Sequence, residues 1–313
     1  NQLNETSRHA HVVFPGLSPL EQPHYDELLW AWAVRSAGKW SPALFPPTDG
    51  RPEEWEIMLR VGAMIAGMPG DAVDVQAIDD GYFAAFAEMA GADPAVALAA
   101  SPDPGPVRLN DLAIRTGPFG DRYGENPGGL TLQHFADEPN GIDMGPMVPR
   151  IDEIVTHADG KVDLAPAHVV ADIPRLEERI ERGTDGLLLT SRRHVRSNNS
   201  WMHNVKVLVK GKDRCTLVIL RVDAAAAGVT DGGVARVSSE AGRVEVPVVV
   251  SDEMMPGVVS LPHGWGHDKP GTRMAVAREH AGVNNNVLAP GTFVDVPSGN
   301  AAVNGIPVEV TPT

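Results

Sequence analysis

Cysteine is nearly absent: a single residue, Cys215, occurs in 313. That excludes an internal disulfide and any cysteine-ligated iron–sulfur cluster held by this chain. Cys215 sits in the strand-like run RCTLVIL and reads as a small buried hydrophobe. Basic residues are scarce too, 26 Lys and Arg against 41 Asp and Glu, for a formal charge of −15 and an isoelectric point near 5.1. A surface of that sign does not track a phosphate backbone, which argues against nucleic acid as a partner. No apolar run approaches the ~18 residues of a membrane-spanning helix. No signal peptide is visible, which points to a cytoplasmic setting, although the sequence opens on Asn1 rather than Met.

What is present is an ordinary hydrophobic fraction of 42%, enough to fill sizeable cores, over a length that suggests two domains. Residues 1–183 read as mainly helical and irregular. HVVFPG (11–16) suggests a short strand and turn, and residues 19–38 contain a helix presenting Leu28, Leu29, Trp32, Ala33 and Ser36 on one face, with Trp30 and Trp32 in the core, broken over 35–42 by Gly38 and Pro42. Residues 50–68 are amphipathic, with Pro52 suited to a first turn, Glu53 and Glu54 favouring the N-terminal dipole, and Trp55, Met58, Leu59 and Ile65 as the apolar stripe. A second helix is expected within 71–91, a loop over 92–105, a helix at 110–116, a Gly-rich meander over 117–135 that continues irregularly through 139–150, and a charged helix in 171–183 burying Leu176 and Ile180.

From Leu187 the texture changes. Strand-like runs recur at 205–209, 216–221, 234–238, 244–250, 258–261, 274–277 and 308–310, separated by Gly, Asp and Pro. Short strands with frequent turn signals indicate a β-barrel or sandwich over 184–313, and an α+β chain as a whole.

The densest chemistry stands where the first strand ends, in TSRRHVRSNNSWMHN (190–204). Arg192, Arg193 and Arg196 carry planar forks that suit phosphate, and Ser191, Asn198, Asn199, Ser200 and His203 add directional hydrogen bonds. In so acidic a chain this run invites an anionic ligand; a solvated charged loop is the plainer alternative. PHGWGH (262–267) admits three readings. His263 and His267 have the spacing of a helical metal pair, but Gly264 and Gly266 disfavour a helix. A plain turn is the second reading. The third is a loop whose glycines admit a flat ligand beside His263, Gly264 and Trp265. Asn284, Asn285 and Asn286 either make a turn or present amides to a base edge.

These motifs, with SDEMMPGVVSLPHGWGH (251–267), GVNNNVLAP (282–290), SGNAAVNGIPVEV (298–310) and the opening ETSRHAHVVFPG (5–16), resemble in order the C-terminal part of molybdopterin-dependent oxidoreductases, the superfamily of dimethyl sulfoxide reductase, nitrate reductase and formate dehydrogenase. The resemblance implies a remnant of an α/β domain over 1–183 and a double-psi β-barrel over 184–313, with Ala224 to Gly228 as a helical turn and Asp223 and Asp231 as structural groups rather than catalytic acids. It implies molybdopterin guanine dinucleotide in the bis form, held by Ser191, Arg192, Arg193, Arg196, Asn198, Asn199, Ser200, His203, His263, Gly264, Trp265, Asn285, Asn286 and Asn304. No catalytic residue and no protein ligand to a metal is assigned. The 4Fe-4S cluster and the molybdenum ligand would belong to a missing N-terminal half, the partner of this one; the fragment alone would be inactive, and the whole would carry out two-electron redox chemistry on a small-molecule substrate. A non-catalytic nucleotide- or partner-binding barrel is the alternative. A self-processing barrel enzyme of the aspartate-decarboxylase kind needs a Gly-Ser pair, and none occurs.

Overall fold

The computed structural model describes residues 3–183, 186–292 and 294–313. They group into two compact units, residues 14–156 and a discontinuous unit of 1–13 with 157–313. The boundary suggested by composition, 183/184, falls inside the second of these.

In unit 14–156, strands β1 (His24–Tyr25) and β3 (Trp40–Ser41) pair with each other, as do β2 (Arg35–Gly38) and β4 (Ile142–Pro146). The helices are α1 (Glu27–Trp30), α2 (Glu54–Ile65), α3 (Val75–Met89), α4 (Pro94–Ala100), α5 (Pro106–Thr116), α6 (Leu132–Asp137) and α7 (Ile151–Ile154). Local chemistry explains the starts. Asp74 accepts from the Ala77 amide at 3.0 Å, and Asp93 accepts from Ala95 and Val96 at 2.8 and 3.1 Å with Pro94 in the first turn. The core gathers Phe83, Ala87, Ala97 and Leu112. Beside it Arg108 pairs with Asp79 and Asp80, and Arg115 with Asp111 and Asp121.

Several expectations are corrected here. The helix within 19–38 is only α1, and beyond it, at the expected break, Arg35 to Gly38 pair with β4; Trp30 lies at the surface and Trp32 is 76% exposed, so neither is core. The loop over 92–105 contains α4, where the Asp93 cap releases an Ala-rich run into a helix. Residues 11–16 form no strand, having no neighbour to pair with among the described residues. In α2, Met58 and Ile65 of the apolar stripe are exposed.

The other unit holds α8 (Ala167–Val170), α9 (Ile173–Arg182), β5 (Leu187–Arg192), α10 (Lys206–Val209), β6 (Leu217–Ile219), α11 (Arg221–Ala227), β7 (Val234–Ser238), β8 (Arg243–Val250), β9 (Val258–Pro262), α12 (Ala275–Glu279) and β10 (Ile306–Pro312). Leu176 and Ile180 on α9 are exposed, not buried. Two runs read as strands are the short helices α10 and α12, since four apolar residues fit either period. Asn204 decides the second by accepting from the Val276 and Ala277 amides at 3.0 and 3.1 Å. The run at 216–221 is strand only through Ile219, and Cys215 lies just before it.

Strands β5 to β10 close into a barrel in the order β10-β5-β9-β6-β8-β7, with β5–β9 and β6–β8 parallel and the other neighbours antiparallel. The molecule is therefore a mixed helix-and-sheet chain with a closed six-strand barrel in its C-terminal region. Alternation fills the barrel. Val244, Val246 and Val248 of β8, Ala235 and Val237 of β7, and Ile306, Val308 and Val310 of β10 point inward, against Leu189, Leu217, Ile219, Val259 and Leu261. Closure leaves no free edge and fixes which residues emerge at each end.

Candidate functional site

One end of the barrel is formed where β5 and β9 finish and β6 and β10 begin. The polar run after β5, the Gly-rich loop after β9, the Asn run and Asn304 all emerge there.

Arg192 does not project outward. Its Nη1 donates to the Ser260 carbonyl at 2.7 Å, and Nη2 to the Thr216 carbonyl and hydroxyl at 2.8 and 3.0 Å and to the Arg214 carbonyl at 3.3 Å. Its guanidinium ties three strands together, and burial pulls its pKa below the ordinary arginine value. Arg193 is exposed and donates to Asn199 Oδ1 at 2.7 Å; the same oxygen lies 3.0 Å from His263 Nε2. Asn198 and Asn199 both adopt left-handed backbone, with φ of 41° and 61°, which turns the loop back over the barrel end. Gly264 lies under it with φ of 87°, and a Cβ there would stand 2.2 Å from the Asn199 carbonyl oxygen. The two loops thus meet backbone to backbone, Ser200 included, and only glycine permits the approach.

A second group surrounds Asn304. Its Oδ1 accepts from the Ser191 amide at 2.7 Å and from the Thr190 hydroxyl at 3.2 Å, and Asn285 Nδ2 donates to Ser191 Oγ at 3.3 Å. Asn285 is buried, whereas Asn286 is exposed, on the short turn Asn285–Leu288.

A third group is aromatic. His203, 1% exposed, stacks on Trp265 with ring centroids 4.0 Å apart. Its Nδ1 lies 2.8 Å from His267 Nε2, and His267 Nδ1 lies 3.0 Å from Glu5 Oε1. Burial, reinforced by His267, lowers the His203 pKa to about 4; the Gly264 carbonyl works the other way yet completes no hydrogen bond to Nε2. Among the described residues, His203 Nε2, Trp265 Nε1 and Asn285 Oδ1 are buried without a hydrogen-bond partner.

His194 marks a cation cluster. Burial lowers its pKa first, and the charges of Arg214, Arg196 and Arg192 lower it further. Arg214, His194, His267 and Glu5 are absent from the set chosen from sequence. The signal for Arg214 was the KGKDR run just beyond the polar stretch; for Glu5 it was the opening ETSRHAHVVFPG, which does not indicate a partner 262 residues away. His263 and His267, at the spacing of a metal pair, face different partners.

Chemically, this end offers guanidinium groups for anions, amides for a base edge, and buried polar atoms that lack partners. Residues 187–305 match the family of the molydopterin dinucleotide binding domain. The dimethyl sulfoxide/trimethylamine N-oxide reductase of Cereibacter sphaeroides is 30% identical over 162 residues, which is 52% of this chain and only 17% of that protein. Acetylene hydratase from Pelobacter acetylenicus superimposes with a TM-score of 0.53 at 16% identity, over 96% of this chain and 38% of that one, a likeness of fold alone.

Proposed function

Starting from membership of the molybdopterin-dependent oxidoreductase family, of which this chain is a C-terminal part, we propose that the donor end of the barrel holds molybdopterin guanine dinucleotide. The observation that carries the reading is the convergence of Arg193, Asn199 and His263 with buried, unpartnered Trp265 Nε1 and Asn285 Oδ1 at that one end. Buried polar atoms without partners cost stability, so a ligand that supplies them fits the site.

In this reading Arg193, Arg196 and Arg214 neutralise the diphosphate, and Arg192 braces the wall behind them. Asn198, Asn199, Ser200, Asn285, Asn286 and Asn304 offer donors and acceptors to pterin and guanine edges, with Ser191 completing the Asn304 corner. Gly264 lets backbone approach the ligand, and the Trp265 indole N–H donates to it from below. The exposed ring of Trp201 supplies a face for stacking. His203, kept neutral, adds no charge to the site at pH 7. The bound group would supply two-electron redox chemistry; the protein holds, orients and shields it.

The finer claims belong to the same reading. They are a double-psi barrel, a remnant α/β unit before it, a bis form of the cofactor, and a cytoplasmic protein longer than this chain. Its further part would carry the 4Fe-4S cluster, the molybdenum ligand and the substrate-facing residues. Elemental analysis of the purified gene product tests the core of it. One molybdenum with two guanine nucleotides released by acid is expected; one nucleotide would remove the bis form, and neither molybdenum nor nucleotide would remove the reading.

A further inference from the structure

The opening segment lies far outside the stretch that matches a known domain, residues 187–305, yet it is tied to the barrel. The Arg273 amide donates to the Leu3 carbonyl at 2.7 Å, and Arg8 Nη1 donates to the Pro270 carbonyl at 2.9 Å. Between these two anchors Glu5 Oε1 meets His267 Nδ1. An ionised carboxylate only accepts, so the contact fixes a proton on His267 Nδ1. The other nitrogen of that ring meets His203 Nδ1, and the His203 ring lies on Trp265 at an interplanar angle of 30°. The chain carboxylate–imidazole–imidazole–indole is buried except at Glu5.

We propose that Glu5 is a positioning residue for the donor end: through His267 and His203 it fixes the Trp265 ring and with it the loop 263–267. Glu5 removes the freedom of the His267 ring to exchange its proton between nitrogens or to turn over, and a ring so fixed gives His203 one orientation. The Trp265 indole N–H, which has no partner among the described residues, is then held in one direction. The ligand that this N–H would meet rests on the reading above; the geometry of the chain does not.

Nitrogen-15 NMR of histidine and indole groups in the full chain, without any cofactor, tests the proposal. The native protein should show His267 with a protonated Nδ1 and a single Trp265 indole resonance, assigned with Trp265→Phe. Glu5→Ala should average the two nitrogens of His267 and move the Trp265 resonance. Glu5→Gln, whose amide oxygen still accepts, should restore both. Arg8→Ala removes a neighbouring anchor without touching the chain and should leave both unchanged. Glu5→Asp, one methylene short, should act as Glu5→Ala does and replaces it should that variant not fold. A native-like Trp265 resonance in both Glu5→Ala and Glu5→Asp overturns the proposal. So does an equal shift in Arg8→Ala, which would reduce Glu5 to a simple anchor, or a failure of Glu5→Gln to restore. In protein purified with its cofactor, Glu5→Ala should lower guanine nucleotide content severalfold. A protein that never binds the nucleotide would defeat the cofactor reading while the NMR result on Glu5 stood.

Discussion

The two ends of the barrel share one wall and differ in what the wall presents. At the donor end, Arg196 and Arg214 lie near His194 and Arg193 holds Asn199, and buried polar atoms there lack partners among the described residues. At the opposite end, where β5 and β9 begin, Arg221 is paired with Asp252, and two further carboxylates hold backbone amides. Asp223 Oδ2 accepts from the Gly257 amide at 2.8 Å, and Asp231 Oδ1 accepts from the Val250 amide at 2.9 Å. A cavity of about 690 Å³ opens there, lined by Asp223, Glu309, Ser238, Ser239 and apolar residues of β5 and β10, with no basic side chain among its described lining residues. The contrast teaches that the closed sheet itself does not specify an anion site. The donors lie on the loops that leave one end of it, whereas the carboxylates Asp223 and Asp231 at the other end hold turns in place.

That comparison breaks most completely if the shared wall is weakened. Leu217 is fully buried, and Leu217→Ala should cost about 2–5 kcal/mol. Chemical denaturation should show both ends lost in one transition; separate transitions would mean the ends are independent. Acid should act next, at the donor end through His203. The folded pKa of His203, about 4, lies below its unfolded value of 6.5, so the unfolded chain binds the proton first. Stability contributed by the neutral ring is present above pH 6.5 and is lost as pH falls toward 4, up to roughly 3 kcal/mol. Urea midpoints at pH 7 and pH 4.5 should differ less in His203→Gln than in the native chain. Gly264→Ala sharpens the contrast at one position. Its φ is left-handed and the added Cβ meets the Asn199 carbonyl, so a loss of about 1–3 kcal/mol is expected together with reduced cofactor content. Smallest is Asp223→Ala at the far end. It removes one hydrogen bond, about 1 kcal/mol, and should leave molybdenum content unchanged.

Much of the wall was legible in the sequence because alternation survives in it. The runs RVEVPVVV and VARVS read as strands and alternate in burial as β8 and β7; VVSLP of β9 is buried without alternation and was legible as a short apolar run between turn residues. Runs of four apolar residues were not legible, since helix and strand periods coincide over so short a span, and α12 depends on an Asn204 cap that stands 72 residues before Val276. At the site, the donor run was evident as composition. The division of labour within it was not: Arg192 turns inward because β6 and β9 bring carbonyls to it, whereas Arg193 turns outward to Asn199. Strand neighbours decide that, and they are far away in sequence. The same holds for Glu5 and His267, whose meeting is a property of the folded chain alone.

The central claim is that the side chains at the end of β5 and β9 exist to hold a phosphorylated pterin nucleotide. The double variant Arg193→Ala with Asn199→Ala tests it most directly, with molybdenum and guanine nucleotide measured per protein alongside thermal melting. The account predicts cofactor content reduced by about tenfold or more, the loss of ~1.4 kcal/mol or more in binding, at a nearly unchanged melting temperature. Native cofactor content in a folded double variant would contradict it.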